Sequence, residues 1–161
     1  KCQALSDALT RQNPALTISC SVSYDTNLSE LRPFIQDADA VLAANITPKQ
    51  SPVEIGGMED IGKFAAMDRN KPRQDKLLKE VLELASKLNK QSIFVSLRAP
   101  YETAKYQGVS TDVIATFAYN TELTQNGNER RHTGPTYEAL AELLMGKIQA
   151  SGTLPVTIVP K

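Results

Sequence analysis

The sequence predicts an α/β protein built on a mostly parallel sheet of about five to six strands, with helices on both faces. Short runs that are almost entirely apolar, such as 40–46 and 92–97, are typical of strands covered on both faces. They alternate with segments whose apolar residues recur at helical spacing, most clearly over 75–90. This alternation is typical of parallel strands joined by helices, and 161 residues are enough for one such domain with a packed core.

The chain opens with a predicted helix and a predicted strand. Leu5 and Leu9 are four residues apart and predict a helix over 3–12, which the Asn-Pro pair ending at Pro14 would terminate. The apolar run 15–22 then predicts a strand. A doubly wound sheet usually opens with a strand, so a chain that begins in a helix is expected to be a fragment whose first strand lies elsewhere.

A second helix and a long loop follow. Ser29 is suited to cap a helix over 30–36, even though Pro33 lies inside that segment. The run 40–46 predicts a strand. Residues 47–74 contain three prolines and three glycines and are predicted to form a loop. Loops of this length are usually functional or mobile.

The clearest helix is predicted over 75–90. Charged residues lie opposite its apolar stripe, which consists of Leu77, Leu78, Val81, Leu84, Ala85 and Leu88. The strand 92–97 follows, then a single helical turn over 101–106 and a strand over 112–119.

The last segment is predicted to be a polar loop, a helix and a short strand. Residues 120–134 are polar, and Asn126-Gly127 is a turn signal. Pro135 suits the first turn of a helix, whereas Gly146 suits a left-handed residue just past its end. A strand is predicted over 154–159. The whole pattern predicts one domain over residues 1–161, a three-layer α/β/α sandwich of flavodoxin-like type.

Composition argues against several classes of function. Lys and Arg together equal Asp and Glu, 18 each, so the formal net charge is zero and no field favours nucleic acid or an anionic membrane. No apolar run approaches the roughly 20 residues needed to span a bilayer. We expect any export signal to lie outside this chain, and the compartment stays open. Cys20 lies in an apolar run and is expected to be a small buried residue; a bridge to Cys2 would need an oxidising compartment.

Three segments carry a family resemblance. The run PTYEALAELLMGK at 135–147 followed by SGTLPVT at 151–157 resembles the closing segment of the second domain of glycoside hydrolase family 3. The run SIFVSLRAPYE at 92–102 is similar to the SLRNPYD strand and loop of its β-N-acetylglucosaminidase branch. DVIATFAYN at 112–120 resembles the strand that follows. The resemblance covers roughly 91–159, and the earlier residues agree with it in element order only.

The resemblance implies a role in cleaving β-linked N-acetylglucosamine from cell-wall or chitin-type saccharides with retention. Retention requires two catalytic groups about 5 Å apart. In this branch both groups, an aspartate nucleophile and a histidine acid/base, lie on a preceding (β/α)8 barrel. The resemblance therefore implies that the chain is a C-terminal domain that supports that barrel and edges the sugar cleft. It implies no cofactor, and the isolated chain is expected to be inactive.

Arg98, Tyr101 and Glu102 are the candidate residues for the substrate cleft or the domain interface. They follow the strand 92–97, and open α/β sheets bind ligands beyond the carboxyl ends of their strands. An Arg side chain at this edge is suited to hold a carboxylate. Domain packing and helix capping remain the competing explanation, above all for Tyr101 and Glu102.

Two other interpretations stay open. In the β-glucosidase branch the second domain supplies the acid/base, and Glu54 or Glu59 in the 47–74 loop would be the candidates. Alternatively, the chain is a free-standing flavodoxin-like module that binds a sugar or a nucleotide. The glycine-rich stretch 56–62 lacks the Lys-Ser/Thr of a phosphate loop, which disfavours a nucleotide.

The remaining reactive residue types support no site. His132 is the one histidine and is expected to be a solvated loop residue. One histidine without a cysteine cluster does not form a typical zinc site, so no metal is predicted. A triad of Ser96 or Ser110 with His132 is weakly supported, because the chain has no G-x-S-x-G elbow.

Overall fold

The structure is a computed structural model that describes residues 1–21, 26–46, 61–126, 129–154 and 157–158. Side chains of residues 61–71, 126 and 129 are outside the description. In chain order the elements are α1 (Cys2–Gln12), α2 (Leu28–Asp37), β1 (Ala40–Ile46), α3 (Ile61–Lys87), β2 (Gln91–Leu97), α4 (Thr103–Tyr106), β3 (Asp112–Ala115), β4 (Glu122–Asn126), β5 (Glu129–Thr133) and α5 (Pro135–Leu144). The α/β class predicted from the sequence is confirmed.

The chain forms two compact units. We call Ser23–Phe117 with Ile158–Lys161 the sheet unit, and Lys1–Val22 with Ala118–Thr157 the hairpin unit. The sheet unit contains every element from α2 to β3, and the hairpin unit contains α1, β4, β5 and α5. The prediction of one domain over residues 1–161 stays a prediction, and each unit is described by itself.

The sheet unit is built on three parallel strands in the order β1-β2-β3. The register pairs Ala43 of β1 with Phe94 of β2, and Phe94 with Val113 of β3. Within the described residues the parallel sheet is therefore smaller than the predicted five to six strands. β2 is buried from Ser92 onwards, as expected for the central strand of a sheet covered on both faces.

Helix α3 forms two apolar clusters on adjacent sides. One cluster faces the sheet and consists of Ala43, Leu82, Phe94 and Tyr106. The other joins α3 to α2 and consists of Ile35, Val81, Leu84 and Ala85. The predicted stripe omitted Leu82, whose side chain is fully buried. A helix packed against both a sheet and a second helix needs a wider apolar surface than the single stripe read from the sequence.

Two boundaries in the sheet unit differ from the prediction. The N-cap of α2 is Asn27 rather than Ser29, because the Asn27 side chain accepts a hydrogen bond from Glu30 N at 3.2 Å. Residues 61–74, predicted as loop, belong to α3, which runs through Pro72. The preceding part of that predicted loop, 47–60, lies outside the described residues.

The hairpin unit packs α1 against α5 and pairs β4 with β5 in an antiparallel hairpin. Small residues Ala4 and Ala8 are one turn apart on α1 and fully buried, which allows close helix packing. The hairpin was missed in the sequence, where 120–134 was interpreted as a loop with a turn signal. Its strands are polar and lack the apolar alternation by which strands are recognised.

The start of α5 follows the prediction closely. Pro135 is the first helical residue and Gly134 is the N-cap. A Cβ at Gly134 would lie 2.5 Å from Asn120 O, so this position requires glycine. Tyr137 is 1% exposed and donates a hydrogen bond from its hydroxyl to Tyr119 O at 2.9 Å. Gly146 follows the helix with φ of 69°, the left-handed conformation predicted for it.

Cys2 and Cys20 form a disulfide within the hairpin unit, with Cα atoms 6.0 Å apart. The prediction of Cys20 as a buried residue is wrong, because Cys20 is exposed. The predicted strand over 15–22 is not formed by residues 15–21, which are irregular. Leu16 is exposed there, so its side chain is not part of a packed core.

The last predicted strands are also shorter. β3 ends at Ala115, whereas the prediction extended it to position 119. Of the predicted strand 154–159, Leu154, Thr157 and Ile158 are not in a strand, and the other positions lie outside the described residues. No helix in the described part of the chain is both long and apolar enough to cross a membrane.

Candidate functional site

The candidate site lies at the carboxyl edge of the parallel sheet, where β1 and β2 end side by side. Asn45 of β1 and Ser96 of β2 are register partners, so their side chains lie on the same face of the sheet. Two hydrogen bonds fix the loop after β2: Ser96 Oγ donates to Ala99 O, and Thr103 Oγ1 donates to Pro100 O, both at 2.6 Å. The loop is thereby held in one shape by the sheet itself.

Arg98 is the first residue of this loop and has an unusual backbone. Its φ is 78°, a left-handed conformation that costs a residue with a Cβ about 1–2 kcal/mol. The side chain is half-buried. Such strain persists only where the surrounding contacts over-determine it, and it is often found at functional sites.

Glu102 is the centre of a charged network that joins three elements. The residue is 9% exposed. Its Oε1 accepts a hydrogen bond from Lys105 Nζ at 3.0 Å, and its Oε2 accepts one from Asn45 Nδ2 at 3.4 Å. Lys105 Nζ also lies 3.6 Å from Asp75 Oδ2 on α3. β1, α3 and α4 are therefore linked through one ammonium group and two carboxylates.

The network favours the protonated form of the Lys105 side chain. Burial alone lowers the pKa of Lys105, but the hydrogen bonds and charges of Glu102 and Asp75 outweigh it, and the pKa is raised. The Lys105 side chain is half exposed, so solvent screens these ion pairs and their contribution to stability is small. The hydrogen bond from Lys105 nevertheless helps to orient the Glu102 carboxylate.

Tyr106 extends the network into the core. Its ring stacks on Phe94 with centroids 3.8 Å apart, and the residue is only 2% exposed. Burial, and then the carboxylates of Asp75 and Glu102, raise the pKa of the hydroxyl well above its usual value of 10. The hydroxyl therefore stays protonated and able to donate a hydrogen bond throughout the physiological range.

The rim of this edge is apolar. Tyr101 is 57% exposed, and Phe117 and Ile46 are exposed as well. These three residues lie at the end of β1 or in the segments that follow β2 and β3. The three predicted residues therefore differ in burial. Glu102 is buried in the charged network, Tyr101 is exposed at the surface, and Arg98 is half-buried.

Both carboxylate oxygens of Glu102 are already engaged by Asn45 and Lys105. Among the residues that the structure describes, no group of three His, Cys, Asp or Glu side chains is placed to hold a metal ion. The contacts with Asn45 and Lys105 fix the position of the Glu102 carboxylate.

The other candidate residues lie in different parts of the chain. Glu54 and Glu59 lie outside the described residues. His132 is half-buried in β5 of the hairpin unit rather than in a solvated loop, and its backbone N–H donates to Asp7 Oδ2 at 3.3 Å. Ser110 Oγ donates to Tyr106 O at 2.9 Å, and Ser96 is engaged by the loop. The weakly supported Ser-His triad gains no support from these contacts.

A groove lies between α2 and α3. It has a volume of about 280 Å³ and is lined by Leu28, Arg32, Glu80, Glu83, Leu84 and Lys87. Two acidic and two basic side chains balance there. It presents no charge excess that would select a ligand.

The loop after β2 was singled out from the sequence, but most of the residues that contact it were not. Asn45, Asp75, Lys105 and Tyr106 were not singled out. Asn45 could have been identified from the sequence, because it is the one polar residue in the apolar strand Ala40–Ile46 and lies near its carboxyl end. Asp75 and Lys105 had none, because charged residues on helices are usually solvated.

The fold and this edge define a small α/β protein with a buried polar network at the ends of its parallel strands. A comparison with curated proteins finds the Beta-hexosaminidase A of Pseudoalteromonas piscicida, which is 38% identical over 161 residues. The match takes in 98% of the chain but only 26% of the relative, so the chain spans about a quarter of that protein's length. No protein-family model matches the chain, and no solved structure gives a significant match.

Proposed function

We propose that this chain is one portion of a larger β-N-acetylhexosaminidase of the glycoside hydrolase family 3 type. The observation that carries the proposal is the 38% identity to Beta-hexosaminidase A, sustained over 98% of the chain. Identity at this level over so long a stretch supports a common fold and a common place in a larger enzyme. The proposed substrates are β-linked N-acetylglucosamine units of cell-wall or chitin-type saccharides.

In this proposal the reactive groups lie on a (β/α)8 barrel that precedes the chain. The chain supports the barrel and contributes one edge of the sugar cleft through Arg98, Tyr101 and Glu102. The engagement of both Glu102 oxygens supports a positioning role for that carboxylate rather than a catalytic one. The Cys2–Cys20 disulfide supports maturation in an oxidising compartment.

The test compares the isolated chain with the full-length product of its gene. Both are assayed for release of nitrophenol from p-nitrophenyl N-acetyl-β-glucosaminide. The full-length product is expected to hydrolyse this substrate and the isolated chain is not. The gene is expected to encode a barrel of roughly 250 residues upstream of the chain.

Two matched variants of the full-length product examine the cleft. Arg98→Lys keeps the positive charge but removes the planar fork, and is expected to raise KM if Arg98 binds substrate. Arg32→Lys makes the same change on α2, away from the carboxyl edge, and is expected to leave both KM and kcat unchanged. Turnover by the isolated chain, or the absence of an upstream barrel, would contradict the proposal.

A further inference from the structure

Exposed apolar side chains of the sheet unit are concentrated at its carboxyl edge. Four large apolar side chains are exposed in the described part of this unit, and three of them, Ile46, Tyr101 and Phe117, follow or end the strands of the parallel sheet. The fourth is Phe34 on α2. Single exposed apolar residues are ordinary, whereas a group of them in one place marks a contact surface.

Two of these side chains lie on either side of the loop that follows β2. The sheet order is β1-β2-β3, Ile46 is the last residue of β1, and Phe117 follows the end of β3 by two residues. Because neighbouring strands lie about 4.8 Å apart, the ends of β1 and β3 are separated by about 10 Å. Ile46 and Phe117 therefore flank the loop that contains the proposed cleft residues Arg98 and Tyr101.

The backbone that carries the two flanking side chains is already fixed by the sheet. Ile46 is paired in register with Leu97 of β2. The backbone N–H of Thr116 donates to Ser96 O at 2.9 Å, so Phe117 comes directly after a residue that is bonded to β2. A contact surface on a fixed backbone loses little conformational entropy when a partner covers it.

Two observations restrict what covers this surface. The exposed side chains are apolar and the formal net charge of the chain is zero, which favours a packed protein surface over nucleic acid or another charged polymer. The chain spans only 26% of its hexosaminidase relative, so most of that protein lies outside the matched part. Another portion of the same polypeptide acts at a high effective concentration and needs only a modest contact area.

We infer that Ile46 and Phe117 are apolar contacts through which the sheet unit docks on the (β/α)8 barrel of the full-length enzyme. The identity of this partner rests on the proposed function. Contacts on both sides of the loop after β2 hold Arg98 and Tyr101 at the boundary with the barrel. Ile46 and Phe117 thus contact the barrel rather than the sugar, and they add a docking surface to the proposed cleft residues.

The test is hydroxyl-radical footprinting of the isolated chain and of the full-length product, with oxidation of each side chain measured by mass spectrometry. Oxidation of Ile46 and Phe117 is expected to fall severalfold in the full-length product, because the barrel covers them there. Phe34 is the matched control, since it is 59% exposed and Phe117 is 60% exposed. Phe34 is expected to oxidise equally in both proteins.

A substitution gives a second measurement. Phe117→Ser changes an exposed side chain in the isolated chain and is expected to leave its Tm unchanged. In the full-length product the same change removes a buried apolar contact and is expected to lower the Tm by several degrees. Phe34→Ser is expected to leave both values unchanged.

Three results would overturn the inference: equal oxidation of Phe117 in the two proteins, equal protection of Phe34 and Phe117 in the full-length product, or protection of Phe117 that rises with the concentration of the isolated chain. The last result would make a second copy of the chain the occupant. Nitrophenol release by the full-length product measures the proposed function separately. An active product in which Phe117 stays fully reactive would contradict the docking surface alone, whereas a gene without an upstream barrel would contradict the proposed function.

Discussion

Removing the Cys2–Cys20 disulfide is expected to destabilise the protein by about 3 kcal/mol. The two cysteines are 18 residues apart, and closing a loop of that size removes chain entropy from the unfolded state worth about 3 kcal/mol at 25 °C. For a chain of this length such a loss corresponds to a fall in Tm of about 6–12 °C. Because α1 contains Cys2 and packs against α5, the loss is expected first in the hairpin unit.

The assay is thermal unfolding followed by circular dichroism, with and without a phosphine reductant. A variant with both Cys2→Ser and Cys20→Ser serves as control, since its Tm is expected to be low in both conditions. Mass spectrometry after alkylation without reduction counts the free thiols and is expected to find none. A Tm that does not respond to reductant, or two alkylated cysteines in the untreated protein, would refute the reasoning.

The remaining predictions concern the core, the strained loop and a buried phenol. Leu82→Ala is expected to cost about 2–5 kcal/mol in urea denaturation because Leu82 is fully buried, whereas exposed Lys79→Ala should change stability by under about 0.5 kcal/mol. Arg98→Gly is expected to be more stable than Arg98→Ala by about 1 kcal/mol, because only glycine relieves the positive φ; equal stabilities would rule out strain there. Burial raises the pKa of Tyr137 to about 12, so the stability it contributes is complete below pH 10 and is lost as pH rises from about 10 towards 12. Tyr137→Phe is expected to flatten the fall in denaturation midpoint over that range, and an unchanged pH slope would contradict this.

The elements that the sequence predicted well are those whose local signals agree with their tertiary environment. β2 is buried from Ser92 onwards, as its mostly apolar run predicts, and the predicted bounds of β1 match the structure, although only Ala43 of β1 is buried. Helix α5 begins at Pro135 and is followed by Gly146 in a left-handed conformation, as local backbone preferences dictate.

The failures come from interactions between distant parts of the chain. The run 15–22 is apolar enough for a strand, but residues 15–21 are irregular and a disulfide anchors Cys20 to α1. The strands of the β4–β5 hairpin are polar. The sequence therefore shows no apolar alternation there that would predict a strand. Neither a disulfide partner nor a strand partner can be read from a local window of sequence.

The sequence located the sheet edge of the candidate site, but it did not identify most of the residues that meet there. Arg98, Tyr101 and Glu102 follow β2 at the expected edge, and that much follows from the topology of parallel sheets. The network around Glu102 depends on Asn45, Asp75 and Lys105, which come from three different elements. Their meeting is set by strand register and helix packing, and residue type alone does not reveal either.

The most direct test of the central claim is to locate the covalent glycosyl-enzyme. The full-length gene product is treated with a fluorinated N-acetylglucosaminyl fluoride that lets the intermediate accumulate, and the labelled peptide is sequenced by mass spectrometry. The account predicts one label per protein, on an aspartate outside these 161 residues. A label within them, on Glu54, Glu59 or Glu102, would contradict it.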